Sequence, residues 1–287
     1  MKMARVYYNY VHSLHVGPTM HPEAPIRVET IMEKLKPHFE RGALQLKQFS
    51  YPVEPKKSKR ISYWNLKDGD TYKTAYTEDI LKVSRDMIKT AVDDLISRDV
   101  ECAFVLCRPP GHHAAAAPAG FCHQNNVWTA IQCFEEKCIT DISIYDWDAH
   151  HGDGTEALIT QSIKTVRFVS THAYGKDIYP GTGESSSDNR IRNIPLNTGT
   201  SDILTIFHEQ VMPFLGKPSI FIISAGYDGH IADPMDLLAF TTESYKHMSE
   251  ELRHTRTPIL FLLEGGYNPV ALGECVEATL EPWFPPV

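Results

Sequence analysis

The chain has 287 residues, 42% hydrophobic and 22% charged, which excludes a disordered or fibrous protein and fits a globular one with a large core. A net charge of −8 argues against a general nucleic-acid binder, whose phosphate contacts need a basic surface. The amino-terminal stretch lacks the apolar core of a signal peptide, and no apolar run approaches the roughly 18 residues that span a bilayer, so neither secretion nor membrane insertion is expected. Six cysteines without a CxxC pair, in a chain large enough to fold without staples, read as reduced thiols. An intracellular protein is therefore expected, cytoplasmic with the nucleus as the alternative.

In chain order, residues 3–8 suit a first strand. The loop that follows carries His12, His15 and His21, which lack ligand spacing and read as solvated. A helix is expected over 26–39, opened by Pro25. The basic run from Lys56 to Arg60 reads as a surface loop rather than a nuclear address. Residues 77–96 carry an apolar face of Ile80, Leu81, Val83, Met87, Ile88, Val92, Leu95 and Ile96, and predict a long amphipathic helix.

From there the pattern alternates. Strands are expected over 102–107, 142–147, 166–171, 219–224 and 258–263, with helices over 126–138 and 202–215 and another beginning near Thr155. Short apolar strands separated by helices imply a parallel sheet with right-handed crossovers, hence an α/β fold, read as one domain over 1–287.

Four of these strands run into polar, glycine-bearing loops: RPPGHH from Arg108, DWDAHHGDG from Asp146, AGYDGH from Ala225 and EGGYN from Glu264. In a parallel sheet all four gather at the carboxyl edge, where ligands bind. There Asp148, His150 and Asp228 offer two oxygen ligands and one nitrogen to a divalent metal, leaving a fourth position for water, as in a catalytic rather than a structural zinc site. His112 and His113 are available to take a proton from that water, with Asp146 and Asp153 as the carboxylates that orient them. Tyr267 is placed to donate to a developing oxyanion.

Six strings carry a resemblance: RPPGHHA (108–114), GFCHQNN (120–126), YDWDAHHGDGT (145–155), YPGTGE (179–184), SAGYDGHIADPM (224–235) and LEGGYN (263–268). Their order and spacing resemble the zinc-dependent histone deacetylases, most nearly the class II branch and the acetylpolyamine amidohydrolases. The resemblance implies an arginase-like three-layer α/β/α sandwich on a mostly parallel eight-stranded sheet. It implies zinc, or ferrous iron, on Asp148, His150 and Asp228, with His113 as general base and then acid, His112 as its electrostatic partner, and Tyr267 polarising the amide carbonyl. Gly120, Phe121 and Tyr179 would line a tunnel for the acyl-lysine stem, with Pro234 and Met235 at its rim. Asp70 would grip the substrate backbone, and Arg27 matches an arginine of the internal acetate channel. A structural potassium ion is implied near Asp146, Ser170 and the backbone around Asp148 and His150.

The implied reaction is removal of acetyl or another acyl group from N6 of lysine in a protein or peptide, with acetylpolyamine hydrolysis as the alternative. Met235 stands where polyamine-preferring members place an acidic gatekeeper, which favours the first. A two-metal ureohydrolase would leave His112 and His113 unexplained, and a non-catalytic acyl-lysine reader would leave every chemical position without use. His151 receives no role from either route.

Overall fold

The structure is a computed structural model that describes residues 4–52, 63–66, 68–162 and 165–285. The elements run β1 (Ala4–Asn9), α1 (Ile26–Glu40), β2 (Gln45–Phe49), β3 (Tyr63–Asn65), β4 (Tyr72–Thr74), α2 (Thr77–Ile96), β5 (Cys102–Val105) and α3 (Asn126–Glu135). They continue with β6 (Ile142–Asp146), α4 (Asp153–Gln161), β7 (Arg167–Ala173), β8 (Ser186–Ser187), β9 (Ile191–Leu196), α5 (Ile203–Ile206) and α6 (Met212–Leu215). The chain closes with β10 (Ile220–Ala225), α7 (Thr242–His254), β11 (Ile259–Leu263) and α8 (Pro269–Leu280). The basic run from Lys56 to Arg60 lies outside the described residues.

Among the described residues, nine strands form one sheet in the order β2-β1-β5-β11-β10-β6-β7-β9-β8, and a separate antiparallel pair joins β3 to β4. Eight of the nine run parallel; the two-residue β8 adds an antiparallel ninth against β9, where eight strands were expected. Because both faces are covered, the central strands β5, β11, β10 and β6 are buried at every position and mostly apolar rather than alternating with exposed polar residues. On β10, Phe221, Ile223 and Ala225 pack into one core with α1, α7 and α8, while Ile220 and Ile222 pack into the other with α2 and α3. The result is the three-layer sandwich. Among the described residues, no helix is long and apolar enough to cross a membrane.

One loop reading is corrected. His12 and His15 are each 1% exposed, because Arg108 reaches back from the end of β5 and donates to the carbonyls of both. Arg108 is paired at 2.7 Å with the buried Glu23, to which the Tyr72 hydroxyl also donates. The loop from 10 to 25 is thus pinned under the site by a buried ion pair. Burial pushes both rings down to about 3, so they are neutral at ordinary pH. For Glu23 burial opposes the charged form, but Arg108, His15 and Arg27 outweigh it and hold the carboxyl at about 2.

Candidate metal centre and active site

Strands β5, β11, β10 and β6 are neighbours in the sheet, so their carboxyl-end loops converge. The loop after β6 supplies Asp148 and His150, and that after β10 supplies Asp228. His150 Nδ1 lies 3.1 Å from Asp148 Oδ1 and 2.8 Å from Asp228 Oδ2. Ligand atoms of the three residues all fall within 4.8 Å of one another. Both aspartates are fully buried, and Asp228 Oδ2 has no hydrogen-bond partner of good geometry despite its short approach to His150. Two buried carboxylates this close repel unless a cation lies between them.

The surroundings keep that cradle open. Gly226 and Gly265 each bring backbone against Asp148, and a Cβ at either position would collide with Asp148 Oδ2. Gly265 N–H also donates to that oxygen at 2.8 Å, and Ala149 N–H to Asp228 Oδ1 at 2.9 Å. The donor set of two carboxylates and an imidazole, with an orphaned oxygen facing inward, fits a divalent metal.

The histidine pair after β5 stands beside it. His112 Nδ1 is 3.1 Å from Asp146 Oδ2, and His113 Nδ1 is 2.6 Å from Asp153 Oδ1. Each ring therefore has one nitrogen fixed by a carboxylate, and the other nitrogen of His112 lies 3.7 Å from Asp148 Oδ1. Burial disfavours the charged form of His112, but Asp148 and Asp146 outweigh it and hold the ring well above the ordinary range. Burial, reinforced by the charge of His112, pushes His113 down to about 3, against the opposing pull of Asp153. His113 is thus the neutral acceptor and His112 the cationic neighbour. A divalent cation on Asp148 and Asp228 would lower both rings, pushing His113 further down and removing the Asp148 share of what raises His112.

Above them opens a tunnel of about 180 Å³ lined by Asp70, His113, Gly120, Phe121, His150, Tyr179, Met235 and Tyr267. The Tyr179 ring meets His113 edge-on with centroids 4.9 Å apart, and Phe121 meets Tyr267 edge-on at 5.8 Å. Burial holds the Tyr267 phenol well above its usual range, so it stays a hydrogen-bond donor. Arg27 is fully buried with its guanidinium 5.0 Å from the Tyr267 ring centroid, donating to the carbonyls of Gly266 and Glu264. Pro234 lines a neighbouring groove with Met20, Pro25 and Ile26, separated from the tunnel by Tyr267. Ser170 pairs in register with Asp146 across β7 and β6, and both are buried.

A model of the histone deacetylase domain matches residues 44–282. The chain belongs to the histone deacetylase family. Over 230 residues it is 36% identical to Histone deacetylase 14, chloroplastic, of Arabidopsis thaliana, covering 72% of this chain and 54% of that protein. It is 31% identical to Uncharacterized protein slr0245 of Synechocystis, covering 98% and 99%. The crystal structure of the HDA15 HD domain superposes with a TM-score of 0.86 at 26% identity, covering 98% of this chain and 87% of that one. The chain thus spans about half the length of the deacetylase relative and almost all of the second. It carries the fold of a histone deacetylase-family hydrolase, a zinc-dependent family whose metal the Asp148, His150 and Asp228 donors fit.

Two supports of this site lie within the motif strings yet received no role from sequence. Glu264 is fully buried; its Oε2 accepts the amides of Gly111 at 2.6 Å and His112 at 3.1 Å, tying the tyrosine arm to the histidine arm. Asp233 accepts from the amides of Tyr267 at 2.6 Å and Asn268 at 3.1 Å with one oxygen, and from Met235 at 3.0 Å with the other. The glutamate that opens EGGYN and the aspartate before Pro234-Met235 were the available signal. A third, His21, meets Phe121 edge-on at 4.7 Å, so it backs the tunnel wall rather than a free loop.

Proposed function

We propose that the chain hydrolyses the N6-amide of acetyl-lysine in a protein or peptide. The observation that carries this reading is the meeting of a three-donor metal cradle, a carboxylate-held histidine pair and a protonated tyrosine at the floor of one narrow tunnel. When bound to Asp148, His150 and Asp228, zinc or ferrous iron supplies Lewis acidity toward the acyl carbonyl and a water. His113, held at Nδ1 by Asp153, takes the proton of the attacking water at Nε2 and returns it to the departing lysine amine. His112, held at Nδ1 by Asp146, is the electrostatic partner of His113, and the Tyr267 hydroxyl donates to the forming oxyanion. Phe121 and Tyr179 exclude water around the lysine stem, while Asp70, at the mouth, is placed to accept from the substrate backbone.

A potassium ion at Asp146, Ser170 and the backbone near Asp148 and His150 belongs to the same proposal, supported by the register of Asp146 against Ser170. An intracellular setting is proposed on the six free cysteines, four of them buried.

The second reading is acetylpolyamine hydrolysis, favoured by the Asp70 carboxylate, 68% exposed at the mouth. Met235 at the same mouth argues against it, since it gives a cationic chain no partner. Rates on an acetyl-lysine peptide and on acetylspermidine, measured side by side with metal-reconstituted protein, decide the matter. The proposal expects the peptide to be the faster substrate, and a faster acetylspermidine would overturn the choice.

A further inference from the structure

His151 follows a metal ligand in sequence but turns away from the cradle. Its Nε2 is 2.7 Å from Glu156 Oε2 on α4, and its Nδ1 is 2.8 Å from the Thr182 hydroxyl. A second buried ring, His172 on β7, lies 4.6 Å from it between centroids. His172 Nε2 is 2.8 Å from the Gly183 carbonyl, and its Nδ1 is 2.9 Å from the Ser170 hydroxyl. Carbonyl and carboxylate oxygens only accept, so in the neutral rings both Nε2 atoms carry the hydrogen. The Thr182 and Ser170 hydroxyls then donate to the Nδ1 atoms.

These partners are of two kinds. Glu156 is itself held by Asn193 of β9 at 2.7 Å, so the base of the cluster rests on α4, β7 and β9. Thr182 and Gly183 belong to the loop between β7 and β8 that carries Tyr179. Gly183 sits at φ +90, and a Cβ there would collide with His172 Nε2 and crowd His151. The loop is therefore seated directly on the two rings, while Tyr179 at its tip stays 46% exposed and depends on the loop for its place against His113.

We propose that His151 and His172 are positioning residues that bolt the Tyr179 loop to the sheet and so set the tunnel wall opposite Phe121. They act through Thr182 and Gly183. The proposal rests on the reading of Tyr179 as a tunnel wall, and the test separates the two.

Thr182→Val removes one hydroxyl from an exposed residue and leaves both histidines, the metal ligands and Tyr179 in place. With metal-reconstituted protein and an acetyl-lysine peptide, KM should rise about fivefold, the order expected for one lost hydrogen bond, while kcat stays within about twofold. Amide hydrogen exchange across residues 174–185 should quicken, and Thr182→Ser should restore both readouts. Tyr179→Ala should raise KM at least as far. If Tyr179→Ala raises KM while Thr182→Val keeps wild-type KM and wild-type exchange, the bolt is refuted and the wall stands. If Tyr179→Ala leaves KM unchanged, the wall fails, and the exchange rate of Thr182→Val, which needs no substrate, decides the bolt: faster supports it, unchanged overturns it.

Discussion

At the scale of single residues, the site is arranged around one oxygen. Asp148 Oδ2 accepts from Gly265 and is crowded by both Gly226 and Gly265, so the two glycines are a steric requirement of the ligand rather than a loop preference. Gly265→Ala is expected to displace Asp148 and Asp228 together, and elemental analysis should find the metal content well below one per chain with deacetylation lost. Tyr267→Phe keeps the ring against Phe121 and Arg27 but removes the donor. A loss of about 10²–10³ in kcat is expected, the range for removing one oxyanion donor, with little change in thermal midpoint. These positions were legible in sequence because their chemistry is local to a strand end. His12 and His15 were not. Their burial depends on Arg108, some 90 residues away in the chain, and nothing in the intervening sequence announces the contact.

At the scale of elements, legibility followed pattern strength. The helix over 77–96 was read with the bounds the structure shows, because its buried face is a continuous row of large apolar residues. α7 went unread: its inward stripe is Ser244, Tyr245, Met248, Ser249 and Leu252, and two serines dilute the periodic signal. β9 was missed because Pro195 and Asn193 interrupt an already short run near the sheet edge. The loop from 10 to 25, pinned by Arg108 and Glu23, yields two predictions. Arg108→Met should destabilise the protein by about 3–5 kcal/mol, because it leaves Glu23 buried without its main cation, and chemical denaturation measures it. The pH prediction follows from the histidines. In the unfolded chain they take up protons near 6.5, whereas in the fold they do so only near 3. Between those values the unfolded state binds more protons, so stability is full above 6.5 and declines as pH falls toward 3. Glu23, depressed to about 2, adds a further loss below its unfolded value of 4.5. The thermal midpoint should therefore drop steadily from pH 7 to pH 4, and a flat profile would contradict the buried network.

At the scale of the whole molecule, the sheet order explains why one site forms. Four adjacent strands end in the four loops that carry the histidine pair, the tyrosine and the three donors, and α1, through Arg27, braces the loop that bears the tyrosine. The sequence strings revealed the strand ends and the family; the strand order and the ninth strand required pairing information that no single stretch contains. Because buried Asp146, Asp148 and Asp228 crowd together, metal should also act as a structural ligand. Chelation is expected to lower the thermal midpoint and readdition to restore it, since at a hundred times its Kd a ligand adds about 2.7 kcal/mol to the folded state.

The most direct test is acetate release from an N6-acetyl-lysine peptide by metal-reconstituted protein, run beside His113→Ala at matched metal content. The account predicts turnover by the wild type and loss of at least about 10²-fold in the variant, the lower range for removing a general base. Wild-type turnover in His113→Ala, or no acetate from the metal-loaded wild type, would contradict it.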